Sequence, residues 1–255
     1  MSVKFKSSLV FLLALTLSLG LLASAGLAQD KEELVIGTSA GFPPFEIMEE
    51  GELVGFDVDL MEAVAEKQGF ELKWQDIAFA SLIPALEAGK VDVVAAAMTI
   101  TLERDKKVDF SNPYWSADQA VIVREDSDLN VVQTLMGGRM IGAQTGTTGA
   151  GWIKEELVGK GIISGNISRH YDTYVMAVRD LVNGRLDSVV VDTPVANTFT
   201  ERQPVKIIAK LVTGEKYGLA VKEGNSELLE KLNAGLETVR GSGEYNEIVS
   251  KWFGE

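Results

Sequence analysis

The sequence predicts an α/β protein with two similar lobes, and three observations support this. Apolar runs typical of buried strands alternate with amphipathic segments at helical spacing, an order that requires a largely parallel sheet covered by helices. The alternation starts again near residue 140. Segments 86–94 and 181–189 share one layout, in which a helix end is followed by a glycine, a basic residue, an aspartate and a strand. Two lobes leave a cleft between them, and such clefts are preferred sites for small molecules.

Each element of the first lobe follows from a local signal. Pro43 and Pro44 break the chain after the first apolar run, and Gly69 and Gly89 stand where a glycine commonly ends a helix. Apolar side chains before Gly69 recur at helical spacing. The expected elements are strands at 34–37, 70–74 and 91–98 and helices at 58–65 and 81–87.

The second lobe repeats this alternation, and the C-terminal segment returns to the first lobe. We expect strands at 119–123, 140–143 and 168–171, helices at 148–158 and 174–182, then a strand at 218–221 and a helix at 227–239. We therefore divide the chain into lobe 1 (30–115 and 218–255), lobe 2 (119–214) and a hinge (116–118 and 215–217). Two crossings make a hinge rather than a loose tether.

The first residues predict export. Two lysines precede an apolar stretch at 9–22 and a stretch of small residues at 23–28, which is the layout of a secretory signal peptide over 1–28. Cleavage is expected after Ala28 or Ala25. The alternative is an uncleaved membrane anchor, since the apolar stretch approaches the roughly 18 to 20 residues that a membrane span requires. The small residues at its end favour cleavage, and hence a periplasmic protein.

Composition excludes several classes of protein. The chain contains no cysteine, so it holds neither a disulfide nor a cysteine for lipid attachment, and we expect it to be soluble and not a lipoprotein. Its formal net charge is −13, and removing a leader with two lysines and no acid makes it more negative. This charge argues against nucleic acid as a partner.

The loops at the predicted strand ends bring together groups that suit a zwitterion. Arg104 offers a permanently charged fork for a carboxylate, and Asp192 offers a counter-charge for an ammonium. Phe42 and Phe79 offer apolar faces for the body of the ligand. The alternatives are structural: Arg104 as a surface residue capping a helix at 101–107, and the two phenylalanines as core.

Candidate catalytic groups are few. The turn at 144–149 is rich in glycine and threonine but lacks the lysine and spacing of a phosphate-binding loop. It is either a carboxylate-binding helix start or a plain capping turn. The only histidine, His170, lies in an extended segment, where we expect a structural role. No nucleophile elbow and no cluster with metal-ligand spacing is present in the sequence, so no cofactor is expected.

Several motifs carry a family resemblance over essentially the whole chain after the leader. They are the segments 55–60, 83–86, 98–104, 109–111, 192–194 and 245–253. In this order they resemble the polar amino-acid-binding proteins of bacterial ABC importers. The resemblance implies a two-lobed periplasmic binding protein fold of type II, each lobe a mixed sheet flanked by helices, joined by a two-strand hinge. It also implies a free L-amino acid as ligand, a membrane permease as partner and a monomer.

The resemblance assigns roles to individual residues. Arg104 takes the α-carboxylate together with Thr99 and the turn at 147–148, while Asp192 and the Ala97 carbonyl take the α-ammonium. The two phenylalanines sandwich the side chain. The complete predicted site is Ser39, Phe42, Phe79, Ala97, Met98, Thr99, Arg104, Gln144, Thr147, Thr148 and Asp192.

The identity of the ligand stays open. Ser39, Gln144 and Val191 are uncharged, and an unpaired buried cation is costly, so a neutral side chain such as that of glutamine is favoured. The segments 42–46 and 144–149 also resemble those of arginine binders. Two other classes remain as alternatives: an enzyme similar to the periplasmic cyclohexadienyl dehydratases, for which Asp192 is the only candidate acid or base, and the sensing domain of a receptor.

Overall fold

The computed structural model describes residues 31–254, and the predicted signal peptide at 1–28 lies outside these residues. In chain order, the strands are β1 (Glu32–Thr38), β2 (Ile47–Glu49), β3 (Glu52–Val54), β4 (Phe70–Asp76), β5 (Val93–Val94), β6 (Val108–Phe110), β7 (Trp115–Arg124), β8 (Ile141–Gln144), β9 (Ser168–Tyr171), β10 (Ser188–Asp192), β11 (Val205–Tyr217) and β12 (Ala220–Lys222). The α-helices are α1 (Phe56–Gln68), α2 (Leu82–Glu87), α3 (Val131–Met136), α4 (Thr148–Trp152), α5 (Tyr174–Val182), α6 (Thr193–Arg202), α7 (Ser226–Ser242) and α8 (Glu244–Phe253).

These strands form two mixed five-stranded sheets. Sheet I has the order β4-β1-β5-β12-β6, in which β1 runs parallel to β4 and β5, and β12 runs antiparallel to β5 and β6. Sheet II has the order β11-β7-β10-β8-β9, with β8 parallel to both β9 and β10. A small hairpin of β2 and β3 stands apart. Two helix-flanked mixed sheets are the predicted fold class.

The C-terminal return to the first sheet follows from packing. Strand β12 pairs with β5 and β6, and α7 packs on α1. The close approach of these helices depends on Gly235, because a Cβ there would lie 2.7 Å from Val64 Cγ1. No helix within residues 31–254 has the length and apolarity to cross a bilayer.

The chain crosses between the sheets at the ends of β7 and β11. These strands pair antiparallel, and Trp115 stands opposite Tyr217 at the end of the ladder. Trp115 stacks on Phe253 of α8 with ring centroids 4.2 Å apart, and Phe45 packs edge-on against both Trp115 and Tyr217. Such aromatic pairs contribute beyond their buried area. They anchor the crossing segments to the core.

Three expected elements differ from the structure. The run at 91–98 forms a strand only at Val93–Val94, because the Asp57 carboxylate takes the Ala97 N–H at 2.7 Å and Ala97 has a φ of 44°. The expected helix at 101–107 is a 3-10 turn at Arg104–Lys106, where the Thr101 hydroxyl accepts from the Arg104 N–H.

The third difference is the expected helix at 148–158. It changes from the α form in α4 to the π form at Ile153–Val158, ending with a bond from the Gly159 N–H to the Lys154 carbonyl. The α-helical part is therefore short, and its first turn faces the candidate site described next.

Candidate ligand-binding site

A narrow cavity lies where loops of sheet I meet sheet II, with a volume of about 10 Å³ for a water-sized probe. Its walls come from both sheets, because the chain leaves β5 and β10 at the same end of the molecule. The lining residues are Phe42, Phe79, Ala96, Ala97, Thr99, Arg104, Gln144, Thr147, Thr148 and Asp192. Every residue of the predicted site is among them except Ser39 and Met98.

Arg104 is the cation of this cavity, and main-chain carbonyls hold its guanidinium. Nη1 donates to the Thr99 carbonyl at 2.7 Å and Nη2 to the Gly146 carbonyl at 3.0 Å, so it bridges the two sheets. It lies over the Phe79 ring, 5.3 Å from the centroid. Burial lowers its pKa, while Glu215 and Asp192 oppose that shift. No ion pair joins Arg104 to any acid of the described chain.

Asp192 is the acid that lines the same cavity. It is the last residue of β10 and is 4% exposed. Its Oδ1 accepts from the Tyr217 hydroxyl at 2.7 Å. Burial first, and the charge of Glu215 second, raise the pKa of Asp192 to about 7, although hydrogen bonds from Tyr217 and Gln119 oppose this rise. Asp192 therefore titrates near neutral pH.

The turn at Ala97 depends on a second buried acid. Asp57 accepts from the Ala97 N–H and, at 2.6 Å, from the Tyr114 hydroxyl, both on Oδ2. Gly55 places Asp57 there, because it has a φ of 149° and a Cβ would lie 1.9 Å from the Phe45 carbonyl oxygen. Burial raises the pKa of Asp57 to about 7. Ala97 takes an unusual conformation for a residue with a side chain, and it lines the cavity.

The threonines of the site serve two purposes. Thr147 caps α4, since its hydroxyl accepts from the Ala150 N–H and donates to the Gln144 carbonyl. This turn therefore caps α4, and Thr147 and Thr148 also line the cavity. Thr99 and Thr148 instead donate their hydroxyl protons to Glu215, each at 2.7 Å.

The residues predicted around the ligand side chain are placed as follows. Phe42 is buried against Tyr174, with ring centroids 5.5 Å apart, while lining the cavity. Gln144 Nε2 donates to the Asp172 carbonyl at 2.8 Å and approaches the Ser39 hydroxyl at 3.4 Å. Ser39 thus lies behind Gln144. Met98 is buried and borders a wider outer groove.

Four residues that shape the site have no role predicted from the sequence: Glu46, Asp57, Glu215 and Tyr217. Glu215 and Tyr217 stood in the expected hinge, where no local pattern marked them as neighbours of Thr99 or Asp192. Glu46 is 1% exposed, and its Oε2 has no hydrogen-bond partner among residues 31–254. An acid in an otherwise apolar segment is the one signal that could have found Glu46.

The outer groove shares Arg104, Thr147 and Thr148 with the cavity. His170 is exposed there and forms a hydrogen bond with the Ser168 hydroxyl. Among the residues described, no group of histidines and acids could hold a metal ion.

Comparisons with known proteins identify the family of this chain. The family model of the bacterial extracellular solute-binding proteins, family 3, matches residues 34–255. The ABC transporter arginine-binding protein 1 of Escherichia coli (strain K12) is 36% identical over 233 residues, which is 89% of this chain and 93% of that protein.

Solved structures extend these comparisons. An ancestral arginine-binding protein bound to arginine superimposes with a TM-score of 0.81 at 41% identity, covering 88% of this chain and 99% of its own. The complex of an ancestral arginine-binding protein with glutamine gives a TM-score of 0.81 at 43% identity over the same shares. An ancestral amino-acid-binding protein, a precursor of cyclohexadienyl dehydratase, gives 0.79 at 33% identity, covering 87% of this chain and 95% of its own.

Proposed function

Because the chain belongs to the bacterial extracellular solute-binding proteins of family 3, and within them resembles the amino-acid-binding proteins of ABC transporters, we propose that its cavity binds a polar L-amino acid. Arg104 holds the α-carboxylate and Asp192 holds the α-ammonium. One observation carries this proposal: a guanidinium and a carboxyl group line one cavity, yet neutral groups hold them both. A zwitterion supplies the missing partner for each.

The side chain of the ligand follows from Glu46, and we propose that it is cationic, as in arginine. Glu46 is bonded through its main chain to Phe42 of the cavity, and its carboxyl group lies near enough to Asp192 for their charges to interact. Burial, with Asp57, Asp192 and Asp76 nearby, raises the pKa of Glu46. A guanidinium would allow this group to ionise. Glutamine, which the uncharged Ser39, Gln144 and Val191 favour, is the alternative.

Calorimetric titration with arginine, citrulline and glutamine tests this proposal. Citrulline has the shape of arginine but a neutral ureido group, so the comparison isolates the charge. We expect arginine to bind at least about tenfold more tightly than citrulline in the wild type. In Glu46→Gln this preference should shrink, while the exposed control Glu52→Gln should retain it. Glutamine or citrulline binding as tightly as arginine would instead support the alternative.

We propose that the protein has no catalytic activity, because the ammonium of the ligand occupies Asp192. The alternative of a dehydratase requires an acid or base that stays free beside the substrate. Incubation with cyclohexadienyl substrates, followed by absorbance, distinguishes the two. Product formation that Asp192→Asn abolishes would favour the enzyme.

The proposed transport role adds a conformational step. We propose that segments 116–118 and 215–217 form the hinge between two lobes. Lobe 1 comprises residues 30–115 and 218–255, and lobe 2 comprises residues 119–214. We further propose that the protein is a periplasmic monomer that delivers its ligand to a membrane permease. Because Arg104 and Asp192 come from different lobes, only a closed form lets one ligand touch both. Small-angle scattering should show a smaller radius of gyration with saturating ligand. An unchanged radius with confirmed binding would place the site within one lobe.

A further inference from the structure

The carboxylate of Glu215 joins segments of both lobes. Its Oε2 accepts from Thr99, in the loop after β5, and from Thr148, at the first turn of α4. Its Oε1 accepts from Gln119 Nε2 at 2.9 Å and from the Thr213 hydroxyl at 3.1 Å. Glu215 is 8% exposed and does not line the cavity, whereas Thr99 and Thr148 do.

An irregularity in the pairing of β11 with β7 positions Glu215. The ladder between β11 and β7 shifts register between Leu211 and Glu215. Within that shift, Asp118 Oδ1 accepts from the Thr213 and Gly214 N–H groups, each at 2.8 Å, and Gly214 has a φ of 63°. Bulges of this kind redirect a side chain. Here the redirected side chain is Glu215, which lies within the proposed hinge.

Resting on the proposed function, we infer that Glu215 is the positioning residue that couples ligand binding to closure of the two lobes. The bonds from Thr99 and Thr148 to one oxygen exist only when the loop after β5 and the start of α4 are close together. Glu215 thus stabilises the closed arrangement on the far side of the cavity wall, while the ligand stabilises it from within.

The direction of the hydrogen bonds from Thr99 and Thr148 to Glu215 also determines what these two hydroxyls offer a ligand. A carboxylate only accepts hydrogen bonds, and a hydroxyl has one proton. Thr99 and Thr148 therefore donate to Glu215 and present lone pairs elsewhere. Towards a ligand their hydroxyls act as acceptors, so Arg104 remains the charged donor for a carboxylate. Charge-assisted bonds of this type are about twice as strong as neutral ones.

Glu215 also sets the charge around Asp192. The groups that face Asp192 are Arg104 from the loop after β5, Glu46 near Phe42, Tyr174 of α5, and Glu215 with Tyr217 of β11. Removing the charge of Glu215 lowers the pKa of Asp192, since that charge contributes to the rise. The pH below which ligand binding weakens should then be lower than in the wild type. A purely structural role for Glu215 would not move it.

The experiment uses Glu215→Gln, measured by stopped-flow binding and calorimetry with L-arginine and L-glutamine. We expect the dissociation constant to rise at least about tenfold, mainly through faster dissociation, and the pH below which ligand binding weakens to fall. The exposed control Glu230→Gln, which makes the same charge change on α7, should bind like the wild type.

A second pair of variants covers the case in which Glu215→Gln unfolds. Thr148→Val removes the hydroxyl that donates to Glu215 and should release ligand faster, whereas Thr148→Ser keeps that hydroxyl and should release ligand more slowly than Thr148→Val. Adding Thr148→Val to Glu215→Gln should cost little more, because both variants disrupt the same hydrogen bond between Thr148 and Glu215. If Glu215→Gln or Thr148→Val dissociates like the wild type, the coupling role is wrong. A wild type that binds no amino acid would instead overturn the proposed function.

Discussion

Arg104 and Asp192 line the same cavity but are built in different ways. Arg104 stands on an irregular loop beyond β5, and two main-chain carbonyls hold it. Asp192 ends a regular strand, and a tyrosine hydroxyl holds it. Among residues 31–254, neither forms an ion pair with another side chain.

The difference between them concerns protonation. A guanidinium stays charged throughout the physiological range, so Arg104 attracts a carboxylate at any working pH. Burial and Glu215 bring the pKa of Asp192 to about 7, so its charge depends on pH and on what occupies the cavity. In the proposed site, the charge assigned to the ligand's carboxylate is thus permanent, and the charge assigned to its ammonium depends on pH.

The permanent charge gives the largest expected effect. Arg104→Ala should abolish amino-acid binding, because truncating one partner of a buried charge pair costs about 2 to 5 kcal/mol or more. Arg104→Lys should also bind poorly, since a point charge cannot replace the planar fork. Calorimetry measures the loss, and thermal unfolding checks that the fold survives. An alanine variant that binds within a few-fold of the wild type would contradict the assignment.

Removing the pH-dependent charge of Asp192 should have a smaller effect on ligand binding. Asp192→Asn should weaken amino-acid binding by about 1.5 to 3 kcal/mol, because a hydrogen bond to an ammonium loses its charged acceptor. A ligand of the same shape without the α-amino group should lose far less. Competition titration of both ligands makes the comparison. Equal losses would show that Asp192 does not contact the ammonium.

Asp57 and Asp192 should both make the stability of the protein depend on pH. Each has a folded-state pKa raised from 3.8 to about 7, so the folded form keeps protons that the unfolded chain has released. The free energy of unfolding should therefore fall as pH rises from about 4 towards 7.

Saturating ligand separates the two acids. An ammonium on Asp192 lowers its pKa and removes its share of the pH dependence, whereas Asp57 lies outside the cavity lining and keeps its share. Denaturant titrations at several pH values, with and without ligand, and with Asp57→Asn, measure both shares. A slope unaffected by Asp57→Asn would contradict this account.

Much of the fold and of the site follows from the sequence because their signals are local. Apolar runs, helix-ending glycines and the repeated layout gave two helix-flanked sheets. Nine of the ten residues that line the cavity were predicted from the sequence, and Ala96 is the exception. Only Ser39 and Met98 lie just outside the lining.

The remaining features depend on contacts between distant residues. The run at 91–98 has the composition of a strand, and only a bond to Asp57, 40 residues away, turns Ala97 out of the sheet. Thr99 meets Glu215 across 116 residues, so no periodicity relates them. Glu46 stands in an otherwise apolar segment, which marks it as a candidate buried acid, but only the fold places it near Asp192. Such pairs become apparent only in the folded chain.

The smallest expected effect concerns Ser39, at the edge of the proposed site. Ser39 lies behind Gln144, one layer beyond the cavity lining. Ser39→Asp adds a carboxylate there, and a charge at that distance in a partly polar surrounding should favour arginine over glutamine by about 1 kcal/mol. Titration of both amino acids gives the ratio of their affinities, and Ser39→Asn serves as the neutral control of the same size. A ratio that stays constant would place the ligand side chain away from Ser39, and would leave Glu46 as the acid that decides between the two ligands.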